Sequence, residues 1–194
     1  MKRIGLFGGS FDPIHIGHLL VALAACEEMA LDRLYFIPAA QSPFKPVNEP
    51  APAVLRARML RVALAGKTNC EIDEQEISRG GISFSIDTVR DYARRFPGVE
   101  LFYLIGADNV PTLPKWRESE QLAQLVEFVV IPRPGELPAQ LPQPFRLRVL
   151  TGWPSKISSS EIRARARAGK AIEPFLPFGV AEVIRDAQIY RSIA

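Results

Sequence analysis

Apolar and polar positions along this chain alternate between the two periods of regular structure. Arg3 to Gly8 is a short apolar run with β-branched and aromatic residues, closed by Gly8-Gly9, and predicts a buried strand. Gly17 to Ala30 is Ala-rich and apolar, with charge at Glu27 and Glu28, and predicts a helix. Leu34 to Pro38 predicts a second strand, and a Pro-rich loop over 39–52 follows, long enough to suggest a functional loop. Ala53 to Ala65 returns to helical spacing, with Arg56, Arg58 and Arg61 outside and Leu55, Met59, Leu60 and Leu64 inside. Cys70 to Ile77 reads as a strand. Ser85 to Phe96 reads as a helix, started by a serine and an early Asp87. Strands follow at Glu100 to Gly106, Val126 to Pro132 and Phe145 to Leu150, with helices at Glu118 to Leu125, Ser158 to Ala168 and Phe178 to Asp186.

Strand and helix in alternation imply right-handed βαβ units. The fold class is therefore α/β, a Rossmann-like doubly wound parallel sheet in a single domain spanning residues 1–194. Its C-terminal helical part, about 158–194, is expected to pack on the sheet. In such sheets ligands bind beyond the carboxyl ends of the strands, at the point where strand order reverses. Function is accordingly expected at residues 8–18, 38–45, 105–117 and 151–163.

Composition narrows this picture. At 194 residues the chain can bury a core unaided by disulfides or metals, and its 47% hydrophobic and 23% charged content is that of a soluble globular protein. No apolar run reaches bilayer length, and Met1-Lys2-Arg3-Ile4 runs at once into Gly8-Gly9 without a signal-peptide h-region, so the chain reads as cytoplasmic, with no membrane partner. Cys26 and Cys70 form no CxxC pair and read as small buried hydrophobes. The net charge of +3 is concentrated in Lys156, Arg163, Arg165, Arg167 and Lys170. That excess is too small and too local for nucleic acid, yet it suits a polyphosphate.

Gly8-Gly9-Ser10-Phe11-Asp12-Pro13-Ile14-His15-Ile16-Gly17-His18 leaves a strand and enters a helix. The glycines allow close backbone approach, and Asp12-Pro13 favours a fixed turn. His15 and His18, the chain's only histidines, are three apart and meet once the helix has begun. Gly17 leaves the helix start open to an anion. The run is neither the GxGxxG fingerprint nor the P-loop, and it lacks the HExxH spacing of a metalloprotease. Further on, Ile157-Ser158-Ser159-Ser160-Glu161-Ile162-Arg163 opens a basic helix. Its serines suit an N-cap, and Arg163 sits one turn in, within reach of an anion at the helix end.

These two runs resemble the GxFDPxHxGH and SSTxIR motifs of the nucleotidyltransferase superfamily, with Ser160 standing where the second motif has Thr. His15 to His18 spells HIGH, which class I aminoacyl-tRNA synthetases share. The middle of the chain is similar, in order, to bacterial nicotinate mononucleotide adenylyltransferases. Gly80 to Thr88 resembles their PSYTxDT segment, Ile105-Gly106-Ala107-Asp108 their GAD turn, Leu113 to Arg117 their LPxW, and Pro132-Arg133-Pro134-Gly135 their RPG. Departures are Ser83-Phe84-Ser85 in place of Ser-Tyr-Thr and Ser42-Pro43-Phe44-Lys45 in place of Pro-Pro-His-Lys or -Arg.

The resemblance implies transfer of AMP from ATP to nicotinate mononucleotide in NAD biosynthesis, by in-line attack without a covalent intermediate. His15, His18 and Arg163 would carry the chemistry. ATP would be bound by Gly8, Gly9, Ser10, Phe11, His18, Gly106, Asp108, Ile157, Ser158 and Arg163. The acceptor would be bound by Lys45, Ser85, Trp116 and Arg117, with backbone amides near Ser85 and Arg117 receiving the nicotinate carboxylate. Trp116 offers a flat face to a pyridinium ring. Lys45 is either the cation for the acceptor phosphate or a solvated lysine. Asp108 is a ribose ligand, an organiser of magnesium, or a cap. Mg²⁺ is expected chiefly on the ATP phosphates, with no metal held by the protein alone, in a monomer or homo-oligomer. An enzyme preferring nicotinamide mononucleotide or phosphopantetheine, and a non-catalytic nucleotide sensor, are the alternatives. Trp116 and the GAD segment speak against phosphopantetheine. The chain leaves no room for a class I synthetase's insertion and anticodon-binding region.

Overall fold

The computed structural model describes residues 2–43, 50–132, 143–153 and 155–191. Its centre is a six-stranded sheet: β1 (Arg3–Gly9), β2 (Arg33–Pro38), β3 (Cys70–Ile72), β4 (Glu100–Gly106), β5 (Glu127–Ile131) and β6 (Leu147–Val149). Every pairing is parallel, in the order β3-β2-β1-β4-β5-β6. This is the doubly wound Rossmann-like arrangement expected from the alternation of periods. The order reverses between β1 and β4, whose registers run together from Arg3↔Glu100 to Phe7↔Leu104. The crevice between their carboxyl ends is the switch point.

The strands are apolar on both sides because helices cover both faces. One face carries a core of Phe7, Phe11, Leu34, Phe36, Met59 and Leu60. Helices α1 (Ile16–Glu28), α2 (Ala53–Leu64), α6 (Ser159–Arg167) and α7 (Val180–Asp186) close it, α6 and α7 adding Ile162, Val180, Val183 and Ile184. The other face buries Leu6, Tyr35, Tyr103, Ile105 and Phe128 under α4 (Ser85–Arg95) and α5 (Ser119–Leu125). Among the described residues no helix is long and apolar enough to cross a membrane.

Three sequence expectations need correction. The strand expected over Cys70 to Ile77 stops at Ile72, and a short helix, α3 (Gln75–Arg79), replaces its second half. The cause is Asp73, whose carboxylate accepts from both the backbone and the side-chain amide of Gln75 at 3.0 Å and so turns the chain. Gly80, at φ 68, ends that helix in the left-handed region glycine tolerates. Arg56 is not outside α2: it is 2% exposed, while Arg58 and Arg61 do face solvent. It lies on the same stripe as Met59, Leu60 and Ala63 and is kept there by backbone carbonyls described below. After β4 the chain forms a 3₁₀ helix over Ala107–Lys115, accommodating Pro111 and Pro114, where the sequence suggested only a turn.

Candidate active site

A cavity of about 1280 Å³ opens at the switch point. Its walls come from the β1–α1 loop, the end of β4, the 3₁₀ turn and the residues entering α6. The sequence motifs meet here: Gly9, Ser10, Phe11, His15, His18, Gly106, Asp108, Ile157, Ser158 and Arg163 all line it.

The histidine pair is made by the helix start. His15 is the extended residue before α1 and His18 lies in its first turn. Their rings stack with centroids 3.7 Å apart and planes at 28°. The backbone N–H of His15 donates to Nδ1 of His18 at 3.1 Å, which puts the His18 proton on Nε2. Phe11 backs that ring at 5.1 Å, nearly edge-on. His15 is 6% exposed, and burial alone pulls its pKa down to about 4, so it is a neutral imidazole at pH 7. Its Nδ1 is buried and has no hydrogen-bond partner among the described residues. Gly17 lies directly over this nitrogen. A Cβ at Gly17 would sit 3.0 Å from His15 Nδ1 and 3.3 Å from Ser155 Oγ, so the glycine keeps that polar corner open.

The run entering α6 is locked to the β1–α1 loop. Ser158 caps α6, its hydroxyl accepting from the Glu161 N–H at 3.2 Å. Ser159 donates to the Pro13 carbonyl at 2.9 Å, and Arg163 donates to the Asp12 carbonyl at 2.7 Å and to the Ser160 hydroxyl at 3.3 Å. The serine at 160 thus supplies the hydroxyl that the motif's threonine would. Arg163 also lies 3.6 Å from the Asp12 carboxylate. A guanidinium so held reaches the cleft from one turn inside α6, with its direction fixed.

Gly8 departs from expectation. It does not line the cavity; a Cβ there would stand 2.7 Å from the Tyr103 hydroxyl, on the opposite face of the sheet. Around that hydroxyl the acceptor candidates gather. Ser85 Oγ and the Tyr103 hydroxyl share a hydrogen bond of 2.8 Å. Trp116 meets Tyr103 edge-on at 6.3 Å, and its Nε1 donates to Thr112 Oγ1 at 3.1 Å. Arg117 lies over the Phe84 ring at 4.8 Å and pairs with Asp87 and Glu118, each at 3.7 Å. The sequence placed Trp116 in a loop; it is half-buried, with one side packed on the second core. Ser85, Trp116 and Arg117 are therefore brought together, but outside the cavity holding the histidines. Lys45 and the segment 133–135 lie outside the described residues.

Comparison with known proteins agrees with this geometry. The model of the cytidylyltransferase-like family matches residues 6–165. The chain is 44% identical over 197 residues to a probable nicotinate-nucleotide adenylyltransferase of Gemmatimonas aurantiaca, covering 98% of this chain and 93% of the relative. It is 40% identical over 190 residues to a similarly named protein of Thermus thermophilus, covering 97% and 100%. The chain belongs to the cytidylyltransferase-like family, among its nicotinate-nucleotide adenylyltransferases. Its fold is similar to that of a Plasmodium falciparum nicotinic acid mononucleotide adenylyltransferase solved with NaAD, at a TM-score of 0.80 and 18% identity over 98% of both chains.

For this family member, sequence reading missed Arg56 and Tyr190 beneath the β1–α1 loop, and gave Asp12 only a part in its turn. Asp12 is 6% exposed, and its carboxylate accepts from the Ala51 N–H at 3.1 Å and from the Tyr190 hydroxyl at 2.5 Å. Burial together with Asp12 drives the Tyr190 hydroxyl far above the ordinary tyrosine range. Arg56 donates to three carbonyls around the same loop. Arg56 carried a signal, an arginine on an otherwise apolar helical stripe. Tyr190 carried none.

Among the described residues no three His, Cys, Asp or Glu side chains are placed to hold a metal ion. Asp12 accepts from Tyr190 and Ala51, and Asp108 is an exposed carboxylate on the cavity wall. One carboxylate beside a polyphosphate suits a divalent cation held mostly by phosphate and water.

Proposed function

We propose that the cavity between β1 and β4 transfers AMP from ATP to nicotinate mononucleotide, giving nicotinate adenine dinucleotide and pyrophosphate in NAD biosynthesis. An oxygen of the mononucleotide's phosphate attacks the α-phosphorus of ATP in line. A new P–O bond forms as the α–β bridging bond breaks, and pyrophosphate leaves. The attacking phosphate is already anionic at neutral pH, so no general base is required. The protein's part is positioning and electrostatic stabilisation of oxygens that gain charge.

That the stacked His15–His18 pair and Arg163 line one cavity supports this reading most. His18 presents its Nε2–H to the transferring phosphate. His15 acts as a neutral hydrogen-bonding group. Arg163 and the N-terminus of α6 at Ser158 receive the β- and γ-phosphates. Gly9, Ser10 and Phe11 line the phosphate path, while Gly106, Asp108 and Ile157 bound the nucleoside side. Magnesium, carried on the ATP phosphates with Asp108 nearby, would neutralise charge on the leaving group. Ser85, Trp116 and Arg117 hold the nicotinate ring, and Lys45 its phosphate. We read residues 1–194 as one nucleotidyltransferase unit, supported by the share of α6 and α7 in the first core.

Pyrophosphate release from ATP with nicotinate mononucleotide, nicotinamide mononucleotide and phosphopantetheine, compared side by side, tests the reading. Fastest turnover is expected with the first. Fastest turnover with either of the others overturns the acceptor assignment, and no turnover with any of them overturns the enzymatic one.

A further inference from the structure

Arg56 is a buried cation that the chemistry above does not use. It lies in the first turn of α2, 2% exposed, and its guanidinium is spent on three backbone carbonyls. Nε donates to Ala51 at 2.9 Å, and Nη1 donates to Ser10 at 2.9 Å and to Ala39 at 2.8 Å. These carbonyls come from three different places: the phosphate loop, the chain leaving β2, and the chain entering α2. A fully desolvated guanidinium is costly unless its donors are satisfied, so this set is not incidental packing.

The Ser10 contact bears on ATP. The Ser10–Phe11 peptide is trans, so its carbonyl and N–H point in opposite directions. With the carbonyl turned onto Arg56, the Phe11 N–H is turned away from it, on a stretch whose residues line the cavity. The following residue is held in an unfavourable conformation: Phe11 has φ 46, although its bulky side chain is 2% exposed. Such a backbone persists only where the surroundings over-determine it. Here the ring is wedged among Phe7, Phe36 and His18, and Arg56 grips the carbonyl just before it.

We infer that Arg56 is a positioning residue for the reaction: it holds the Ser10–Phe11 peptide so that the Phe11 N–H faces the nucleotide phosphates, and it pins both ends of the segment between β2 and α2 to that same loop. This rests on the reading of the cavity as an ATP site. Lysine at this position keeps the charge but offers one compact ammonium in place of a planar fork, so it cannot reach all three carbonyls with the same geometry.

The test compares wild-type protein with Arg56→Lys and Arg56→Gln, each checked for folding by circular dichroism. Dissociation constants for ATP and for adenosine, together with kcat for pyrophosphate release, are then measured. Expected is at least a tenfold loss of ATP affinity or of kcat, with adenosine affinity within about twofold, because only the phosphates read the peptide's orientation. Equal loss of ATP and adenosine affinity would mean general loosening and would overturn the inference, as would wild-type values throughout. In the wild type, exchange of the Phe11 amide should slow on adding ATP and not on adding adenosine; an amide indifferent to ATP overturns the inference whatever the variants do. Failure of wild-type turnover sinks the functional reading instead, and normal wild-type turnover beside an unaffected Arg56→Lys sinks only the role of Arg56.

Discussion

The proposed phosphate half and the proposed acceptor half of the site hang from the same two strand ends, yet they are built in different ways. The phosphate half is contiguous motif folded onto contiguous motif. The β1–α1 loop and the start of α6 are tied by Ser159 to Pro13 and by Arg163 to Asp12, with Arg56 and Tyr190 holding the loop from beneath. The acceptor half is assembled from α4, β4 and the end of the 3₁₀ turn around one buried hydroxyl, that of Tyr103. Gly8 stands between them, its missing Cβ leaving room for that hydroxyl. An acceptor pocket hung on separate elements can change partner without disturbing the phosphate cradle.

The comparison predicts that damage to the cradle affects turnover far more than acceptor affinity. Replacing His18 with Ala removes the Nε2–H and should lower kcat by about 10²–10³, with the thermal midpoint little changed. Near-normal turnover in that variant would remove the histidine pair from the chemistry. His15 should show itself in stability. Its pKa in the fold, about 4, lies below its ordinary 6.5, so between those values the unfolded chain takes up a proton that the folded chain refuses. Stability contributed by neutral His15 is therefore complete above pH 6.5 and is lost as pH falls towards 4, by roughly 3 kcal/mol at most. Urea midpoints from pH 4.5 to 7 should fall less steeply for His15→Gln than for the wild type; parallel slopes would show that His15 is not buried as described.

How much of this was legible in the sequence follows the same division. The alternating periods located all six strands, five of them to within two residues at each end, because a sheet covered on both faces writes continuous apolar runs. The one strand drawn too long failed at Asp73, where a side chain competing for backbone amides outweighed the apolar pattern. The cradle was readable because its parts are short contiguous runs at strand ends. Its supports were not: helical spacing over Ala53 to Ala65 puts Arg56 outside with Arg58 and Arg61, and Tyr190 reaches Asp12 from 178 positions away. For the acceptor half, Ser85, Trp116 and Arg117 came from a resemblance and do cluster, while Tyr103, which joins them, looks from its strand like any buried aromatic.

Gly8 and Trp116 test whether the halves are separable. A methyl group at Gly8 would press on the Tyr103 hydroxyl at 2.7 Å. Gly8→Ala should cost about 1–3 kcal/mol of stability, the usual range for overpacking, and raise the KM for nicotinate mononucleotide while leaving that for ATP unchanged. A rise in the ATP KM alone would place Gly8 back in the cradle.

The smallest effect is expected at Trp116. Trp116→Leu keeps apolar bulk against Tyr103 but removes the π face, and a ring–cation contact is worth about 0.5–2 kcal/mol. The acceptor KM should therefore rise by about 2- to 30-fold, with kcat and the ATP KM near wild type. The same variant assayed with nicotinamide mononucleotide separates two sources of selectivity. Both acceptors carry the pyridinium ring, so a stacking role predicts the same proportional loss for each. A loss confined to the nicotinate form would mean that Trp116 acts on the carboxylate, through its neighbour Arg117, instead of on the ring.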